Sequence, residues 1–339
     1  MAPDSVGPGR GERAADFVLP LKPNGQKTRF YARAGGTPSL LVFFGSGPQG
    51  SVQHLLEEMG GIGDLAVFGV NSGAEAAAVT FPLQMFRDEK SAVSSAYGLG
   101  ELQEGVVLVL DANLRVLGSV RPADGETAVQ ELQSLLGEAR KEVEALEIGI
   151  QAPVLLIPHV LDREVCEFLT QVWHNEGNQE TGVEQSRGTE RAETIDHGNK
   201  SRSDHIVMDE KLIGMLSATI GRRVMPEIQR AFAYMATRFE GFKIACYDSA
   251  SGGFFNAHRD NLSPATVHRR FALSLSLNEG YEGGFLRFPE FGPHLYRPEP
   301  GCAVVFSCSH LHEVTPVTGG RRFVLLSFLF GEERTRDKA

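Results

Sequence analysis

Apolar residues in the first half of the chain come in short runs separated by turn residues. Residues 39–44 and 65–71 are almost entirely apolar, which predicts two buried strands, and residues 51–63 between them have apolar positions at helical spacing. Residues 105–120 predict two strands joined by a short turn, and residues 125–148 predict a helix with many charged positions. The order of strand, helix, strand, hairpin and helix predicts an α/β sandwich.

The second half of the chain begins with helical patterns and ends in regularly spaced short strands. Pro153 breaks the preceding pattern, so we place a domain boundary near residue 150. A helix is predicted to start near Asp162, and residues 209–237 predict one long helix or two, interrupted near Pro226. The short strands that follow, with Gly and Pro turns between them, predict a double-sheet jelly roll or barrel. The predicted strands are 239–248, 270–278, 283–290, 301–307, 311–317 and 321–330.

The segment from residue 175 to residue 202 is polar and almost free of large apolar side chains. Such a segment is typical of a surface loop, and long loops in compact domains often carry function. Two interpretations remain open for it: a solvated loop without a role, and a lid over a substrate pocket.

Composition and charge restrict the class of protein. The net charge is −10 and no Lys/Arg block occurs, which speaks against nucleic acid as a partner because phosphate neutralisation needs a clustered basic surface. No apolar stretch is long enough to span a bilayer and the first residues lack the apolar core of a signal peptide, so we expect no membrane partner and a cytoplasmic location. Residues 1–13 are rich in Gly, Pro and charge and are expected to be a flexible N-terminus.

Candidate metal ligands lie in the strand-rich half. His258 and Asp260 are two positions apart, so on an extended segment both side chains point to the same face. A histidine from a distant strand would complete a set of two histidines and one carboxylate, which leaves positions open for a bidentate cosubstrate and dioxygen on Fe(II). His310 and His312 both stand at that later place, and either could face the metal.

Two adjacent arginines, Arg321 and Arg322, follow these histidines. They would face opposite ways on a strand, so only one of them can point toward the metal. A guanidinium group can form a bidentate pair with a carboxylate, which makes an arginine here a candidate partner for a dicarboxylate.

This constellation resembles the prolyl-4-hydroxylase-like 2-oxoglutarate/Fe(II) oxygenases over roughly residues 150–332. The matching pieces are YDSASGGFFNAHRDN (247–261), LNEGYEGGFLRFPE (277–290) and GCAVVFSCSHLHEVTPVTGGRRF (301–323). The resemblance implies a double-stranded β-helix, or jelly roll, with flanking helices for this domain.

The resemblance also implies the roles of individual residues. In that family the spaced residues bind iron and carry out catalysis, which corresponds here to His258, Asp260 and His312. A basic residue about ten positions after the last histidine grips the C5 carboxylate of 2-oxoglutarate, which corresponds to Arg322, and the tyrosine before the motif, Tyr247, often bonds the same carboxylate.

The interval of about ten positions between the last histidine and the basic residue decides between the alternatives that the strand pattern left open. It favours His312 over His310, which is then a flanking residue, and it favours Arg322 over Arg321, which then faces solvent.

The implied activity is a 2-oxoglutarate-dependent dioxygenase that uses Fe(II), 2-oxoglutarate as cosubstrate and O2, with ascorbate as a reductant. It would hydroxylate an unactivated C–H of a small molecule or a peptidyl residue, with succinate and CO2 as co-products. Asp260 argues against halogenation, because halogenases of the family lack that carboxylate. Desaturation and ring formation remain open, and so does the substrate. The alternative is a jelly-roll binding module without catalysis.

The first half of the chain resembles the peroxiredoxin-like branch of the thioredoxin fold over roughly residues 10–145, in its order of elements and in GERAADFVLP (11–20). Members of that family place the peroxidatic cysteine in the loop after the first long strand. Here the loop FFGSGPQGSVQ (43–53) has Ser46 and Ser51 but no cysteine, and all four cysteines of the chain lie in its second half. A thiol peroxidase needs a thiolate nucleophile, so that activity is disfavoured.

The expected architecture is an α+β protein of two domains. A redox-inactive, thioredoxin-like α/β sandwich is expected at residues 14–148, through which an oligomer could form. The jelly-roll oxygenase domain is expected at residues 150–332, followed by a C-terminal tail at 333–339.

Overall fold

The chain divides into two compact units, Met1–Ala145 and Leu146–Ala339. The computed structural model describes seven ranges of residues, which are 7–44, 50–59, 65–71, 82–99, 105–140, 144–187 and 190–331. Within these ranges, no helix has both the length and the apolar character needed to cross a membrane.

The first unit is built on a mixed β-sheet with an apolar layer on each face. Its elements are β1 (Val18–Leu21), β2 (Gln26–Arg29), α1 (Phe30–Ala34), β3 (Ser39–Phe43), α2 (Gly50–Glu58), β4 (Ala66–Asn71), β5 (Gln84–Arg87), α3 (Ala92–Ala96), β6 (Val106–Leu110), β7 (Val116–Val120) and α4 (Glu126–Ala139). The described strands pair in the order β2-β1-β5-β4-β3-β6-β7. β3 is parallel to β4 and antiparallel to β6. Leu41 and Phe43 face one apolar layer and Leu40 and Val42 the other, which explains the continuous apolar run of β3.

Several predicted elements of this unit are present. β3, α2 and β4 form the predicted strand, helix and strand, and β6 and β7 form the predicted hairpin with its turn after Leu110. The helix predicted to reach residue 148 is wrong at its end, because α4 stops at Ala139 and residues 144–150 have no helical structure. Leu146 and Ile148 are 78% and 63% exposed and two positions apart, a spacing that forms no helix face. Assignment of the unit to the thioredoxin fold stays a prediction.

The described part of the N-terminal segment is hydrogen-bonded to the first sheet. The backbone N–H groups of Gly11 and Ala14 donate to the carbonyls of Val116 and Leu114, at 2.8 and 2.9 Å. Residues 7–13 therefore include a segment that satisfies the otherwise open edge of β7, which a composition rich in Gly and Pro did not reveal. Ser46, residues 1–6 and the predicted tail at 333–339 lie outside the described residues.

Where it is described, the second unit combines two large antiparallel sheets, two two-stranded sheets and three α-helices. Its elements are β8 (Leu155–Ile157), α5 (Arg163–Asn175), β9 (Gln179–Glu180), β10 (Val183–Arg187), β11 (Glu190–Thr194), β12 (Lys200–Ser201), β13 (Ser203–Ile206), α6 (Glu210–Arg223), α7 (Met225–Phe232), β14 (Arg238–Asp248), β15 (Phe254–His258), β16 (Phe271–Ser276), β17 (Glu282–Gly283), β18 (Leu286–Arg287), β19 (Leu295–Tyr296), β20 (Ala303–Ser307), β21 (His312–Val314), β22 (Val317–Gly319) and β23 (Arg321–Phe330). Among the described residues the larger sheet has the order β8-β20-β16-β23-β14-β13-β9, and a second sheet has the order β12-β15-β21-β18-β19.

Alternation along the strands of the larger sheet produces two separate apolar layers. Leu273 and Leu275 of β16 pack in a layer that includes residues of α5, α6 and α7. Ala272 packs in a different layer together with Leu286 and Val314 of the second sheet. The two sheets thus enclose an apolar interior, and these large antiparallel sheets are consistent with the predicted jelly roll.

The helical segments agree with their predictions in part. α5 begins directly after Asp162, as predicted, and the pattern at 209–237 is two helices, with Pro226 in the first turn of α7. The second helix ends early, because Ala233 has a left-handed backbone with φ of 52°.

The prediction of a surface loop at residues 175–202 is wrong. The segment contains β9, the β10–β11 hairpin and β12. β9 pairs with β13 and β12 pairs with β15, so the segment is joined to both sheets by backbone hydrogen bonds. Such pairing requires no large apolar side chains, which is why a polar composition suggested a loop.

Candidate metal centre and its cavity

The structure brings the three predicted ligands together at one end of the second sheet. His258 ends β15 and His312 begins β21, and the two are partners across these antiparallel strands. His258 Nε2 lies 3.5 Å from Asp260 Oδ1, and His312 Nε2 lies 3.4 Å from Asp260 Oδ2. One ligand atom from each residue falls within 4.8 Å of the other two, so all three could hold a single ion.

Backbone carbonyls orient both imidazole rings. His258 Nδ1 lies 2.7 Å from the carbonyl oxygen of Asn256, and His312 Nδ1 lies 3.0 Å from that of His310. A ring nitrogen this close to a carbonyl carries the proton, so each Nε2 keeps its lone pair and presents it toward Asp260. In this tautomer of the neutral ring, Nε2 is the nitrogen that can bind a metal ion.

Burial and charge set the protonation states of the cluster. Burial lowers the pKa of His312 to about 4, an effect larger than the opposite influence of the Asp260 carboxylate. Burial alone would raise the pKa of Asp260, but the neighbouring His312 and His258 outweigh it and the pKa lies below its usual value. Near neutral pH the cluster therefore offers a neutral imidazole and a carboxylate, the forms that bind a cation.

Aromatic rings and backbone contacts hold the cluster in place. Phe255 stacks on His258 with ring centres 3.5 Å apart, and Phe306 lies 4.6 Å from the ring of His312. The backbone N–H of Asp260 donates to the carbonyl of Cys308 at 3.0 Å. These contacts restrict the side-chain rotamers, so the ligand geometry does not depend on a bound ion alone.

A cavity of about 530 Å³ opens over the cluster. Its lining includes the three clustered residues, Tyr247 and Arg322. Apolar side chains form much of the remaining wall, among them Leu286, Phe306, Val314 and Leu326. A concave, largely apolar cavity with a few convergent polar groups is typical of a small-molecule site.

Tyr247 and Arg322 are neighbours on the inner face of the larger sheet. They are partners across β14 and β23, they are only 2% and 5% exposed, and the guanidinium carbon lies 5.1 Å from the tyrosine ring centre. Among the described residues, Nη1 of Arg322 has no hydrogen-bond acceptor. A buried cationic donor without an acceptor is costly, so this wall of the cavity fits an anionic group.

Gly284 makes room for that arginine. It has a φ of +62°, and a Cβ atom there would lie 2.8 Å from the side chain of Val317 and 3.0 Å from Cδ of Arg322. Any larger residue would therefore both strain the backbone and displace the guanidinium group.

The neighbouring residues that the sequence left as alternatives lie apart from this cluster. The ring of His310 packs on Phe291 at 5.1 Å, and its backbone carbonyl orients His312. Arg321 is exposed, and its Nε donates to Asp248 Oδ2 at 2.6 Å.

Two buried basic residues at the cavity wall were not predicted from the sequence. Lys200 and Arg202 both line the cavity, although they were assigned to the polar loop. Arg202 Nε and Nη2 each lie 2.7 Å from a carboxylate oxygen of Asp204, and its Nη1 donates to Tyr247 Oη at 3.3 Å. The available signal was the alternation of charged residues with serines in KSRSD (200–204), which is strand-like and places all three charges on one face.

Known proteins are similar in sequence to part of the second unit. Residues 242–330 match the model of the 2OG-Fe(II) oxygenase superfamily. A PKHD-type hydroxylase of Azoarcus sp. (strain BH72) is 37% identical over 95 residues, which are 26% of this chain and 41% of that protein. A PKHD-type hydroxylase of Synechococcus sp. (strain JA-2-3B'a(2-13)) is 31% identical over 93 residues, which are 25% of this chain and 41% of that protein. The alignments thus span about two fifths of the length of these curated relatives.

Two solved structures show a weaker likeness. A Pseudomonas putida prolyl-4-hydroxylase has 22% identity and a TM-score of 0.41, with 54% of this chain and 94% of that chain covered. A Trichoplax adhaerens prolyl hydroxylase, solved with a peptide fragment of a hypoxia inducible factor, has 18% identity and a TM-score of 0.44, covering 53% and 84%. Both TM-scores lie below 0.5. The sequence relation therefore rests on residues 242–330, which are similar to the 2OG-Fe(II) oxygenase superfamily and contain His258, Asp260, His312 and Arg322.

Proposed function

We propose that the second unit is a 2-oxoglutarate- and Fe(II)-dependent dioxygenase that hydroxylates an unactivated C–H of a small molecule or a peptidyl residue. The observation that carries the proposal is a cluster of two histidines and one carboxylate in a cavity whose wall also holds Arg322, a buried cation with an unpaired donor. The family match over residues 242–330 and the hydroxylase relatives support a 2-oxoglutarate-dependent hydroxylase.

In this proposal His258, Asp260 and His312 hold the iron. Their donor set of two nitrogens and one carboxylate oxygen is one that non-haem Fe(II) oxygenases use, and three protein ligands would leave coordination positions for other ligands. Bound Fe(II) supplies the activation of dioxygen that couples cosubstrate decarboxylation to substrate oxidation. Succinate and CO2 are then the co-products.

The remaining roles belong to the cavity wall. Arg322 and Tyr247 would bind the distal carboxylate of 2-oxoglutarate, because Nη1 of Arg322 has no acceptor among the described residues and the Tyr247 hydroxyl beside it can donate a hydrogen bond. The apolar side chains of Leu286, Phe306 and Val314 exclude water from the space between this carboxylate and the metal. Retention of Asp260 speaks against halogenation, and the intact ligand set speaks against a binding module without catalysis.

The substrate can be sought in a complete mixture of cellular molecules. We expect incubation of a lysate with the Fe(II) protein, O2 and 2-oxoglutarate to yield a product one oxygen atom heavier, detected by mass spectrometry. The signal should vanish without 2-oxoglutarate and in the Asp260→Ala variant. A heavier product that persists in either control would contradict the proposed reaction.

For residues 14–148 we propose a scaffold without thiol redox activity. No cysteine occurs in the sequence before Cys166, so no thiolate is available there to reduce a hydroperoxide. We expect the wild-type protein to show no thiol-dependent consumption of hydroperoxide, and such consumption would refute this assignment.

A further inference from the structure

A buried ion pair lies behind the proposed carboxylate site. The side chains of Arg202 and Asp204 are 9% and 0% exposed, and two of the three guanidinium nitrogens of Arg202 are bound to the two oxygens of Asp204. The third nitrogen, Nη1, contacts Tyr247 Oη at 3.3 Å. This pair is fixed in a bidentate geometry, and its charge is neutralised within the protein.

The direction of the hydrogen bond to Tyr247 follows from chemistry. A guanidinium group has only donors, so the phenol oxygen must accept from Arg202. The phenol hydrogen is then turned away from Arg202 and needs an acceptor of its own. Among the described residues, none accepts it, although Tyr247 is only 2% exposed.

Two donors therefore stand side by side without acceptors. They are the hydroxyl of Tyr247 and Nη1 of Arg322, which are partners across adjacent strands and both line the cavity. A carboxylate offers two oxygens and would satisfy both donors at once. The ring centre of Tyr247 lies 5.7 Å from the guanidinium carbon of Arg202 and 5.1 Å from that of Arg322.

We propose that Arg202, held by Asp204, is a positioning residue that directs the Tyr247 hydroxyl hydrogen toward the distal carboxylate of the bound dicarboxylate. Arg202 acts through Tyr247. It does not replace Arg322 as the cation that binds the anion, because the carboxylate of Asp204 already neutralises the charge of Arg202. This inference rests on the proposed function, since it takes 2-oxoglutarate as the ligand.

The test is a double-mutant cycle read by calorimetric titration of 2-oxoglutarate into the Mn²⁺-loaded full-length protein. The paired variant Arg202→Gln/Asp204→Asn removes both charges, so that no buried carboxylate is left unpaired. We expect it to weaken 2-oxoglutarate binding about tenfold, the value of one hydrogen bond to a charged group. In the Tyr247→Phe background the same pair should change the dissociation constant by less than about twofold, because the hydroxyl it positions is gone.

Two controls test for indirect effects: a second ligand, and a matched double substitution outside the cavity. Oxalate binds the metal but has no distal carboxylate, so its affinity should be unchanged in the paired variant. The pair Arg321→Gln/Asp248→Asn removes an ion pair from the residues adjacent to Arg322 and Tyr247, and it should leave 2-oxoglutarate affinity unchanged. If the paired variant at the cavity does not fold, Arg202→Lys tests the same coupling, since one ammonium group cannot hold both carboxylate oxygens and the phenol.

The outcomes separate the inference from the proposed function. Equal losses of 2-oxoglutarate affinity with and without the Tyr247 hydroxyl, or an equal loss for oxalate, would overturn the role of Arg202 alone. Failure of the wild-type protein to bind 2-oxoglutarate would overturn the proposed function together with the inference. For a positioning residue we expect the paired variant to have a kcat within about twofold of the wild-type value and a higher KM for 2-oxoglutarate.

Discussion

Replacement of Arg322 by methionine should change ligand affinity and stability in opposite directions. Methionine retains much of the length of the side chain but removes the charge and all donors. Arg322 can form two charge-assisted hydrogen bonds to the distal carboxylate, each worth about 1.5–3 kcal/mol. Because the two are not fully additive, we expect the substitution to reduce the binding free energy of 2-oxoglutarate by about 2–4 kcal/mol. That corresponds to about 30- to 900-fold weaker binding of 2-oxoglutarate.

The stability of the ligand-free protein should respond differently. Arg322 is 5% exposed and its Nη1 has no acceptor among the described residues, a deficit that costs about 1–3 kcal/mol. Its contact with the Tyr247 ring stabilises the folded protein by about 1 kcal/mol. Arg322→Met should therefore unfold at the same denaturant concentration as the wild type or a higher one, with a gain of about 0–2 kcal/mol.

The adjacent arginine provides the control for this prediction. Arg321 is exposed and paired with Asp248, so Arg321→Met should change the free energy of unfolding by less than about 1 kcal/mol and leave 2-oxoglutarate affinity unaltered. Calorimetric titration and urea unfolding measure both quantities. A large loss of stability in Arg322→Met without a loss of affinity would refute the assignment, because it would make Arg322 a structural residue.

Three further predictions concern the metal cluster, the core and the buried ion pair. His312→Ala should abolish retention of Fe(II) or Mn²⁺ after gel filtration, measured by elemental analysis, whereas His310→Ala should retain the metal because its ring lies on Phe291. Leu325→Ala, at a fully buried position of the larger sheet, should lower the free energy of unfolding by about 2–5 kcal/mol in urea titrations, and a loss below about 1 kcal/mol would contradict the packing described. Burial would raise the pKa of Asp204, but the charge and hydrogen bonds of Arg202 outweigh burial and lower it; this carboxylate therefore stabilises the fold above its unfolded pKa, and that contribution is lost as the pH falls below about 4. The paired variant with glutamine and asparagine should show a shallower loss of stability in that acid range, and an unchanged pH profile would contradict the assignment.

The sequence predicted the parts of the site that depend on local spacing. His258 and Asp260 are two positions apart, a spacing that predicts a common face on an extended segment. In the structure β15 ends at His258, and Asp260 reaches the cluster from the turn after that strand. The choice of His312 and Arg322 over their neighbours needed the interval typical of a family, since periodicity alone allows either member of each pair.

Features that depend on distant pairing were not predictable from the sequence. Arg202 and Asp204 lie in a segment whose strands are held by backbone hydrogen bonds to β14 and β15. The polar composition of the segment does not indicate this pairing. The unsatisfied donors of Tyr247 and Arg322 become visible only when β14 and β23 are seen side by side. The end of α4 was missed for a different reason, because the apolar residues after it lack a surface to pack against.

Release of succinate from 2-oxoglutarate tests the central claim most directly. In the presence of Fe(II), O2 and ascorbate, the wild-type protein should convert 2-oxoglutarate to succinate and CO2 in equal amounts, and Asp260→Ala should form neither above the level of protein-free Fe(II). Absence of succinate from the wild type with every substrate pool offered, together with failure to retain iron, would contradict the assignment of this cavity as an oxygenase site.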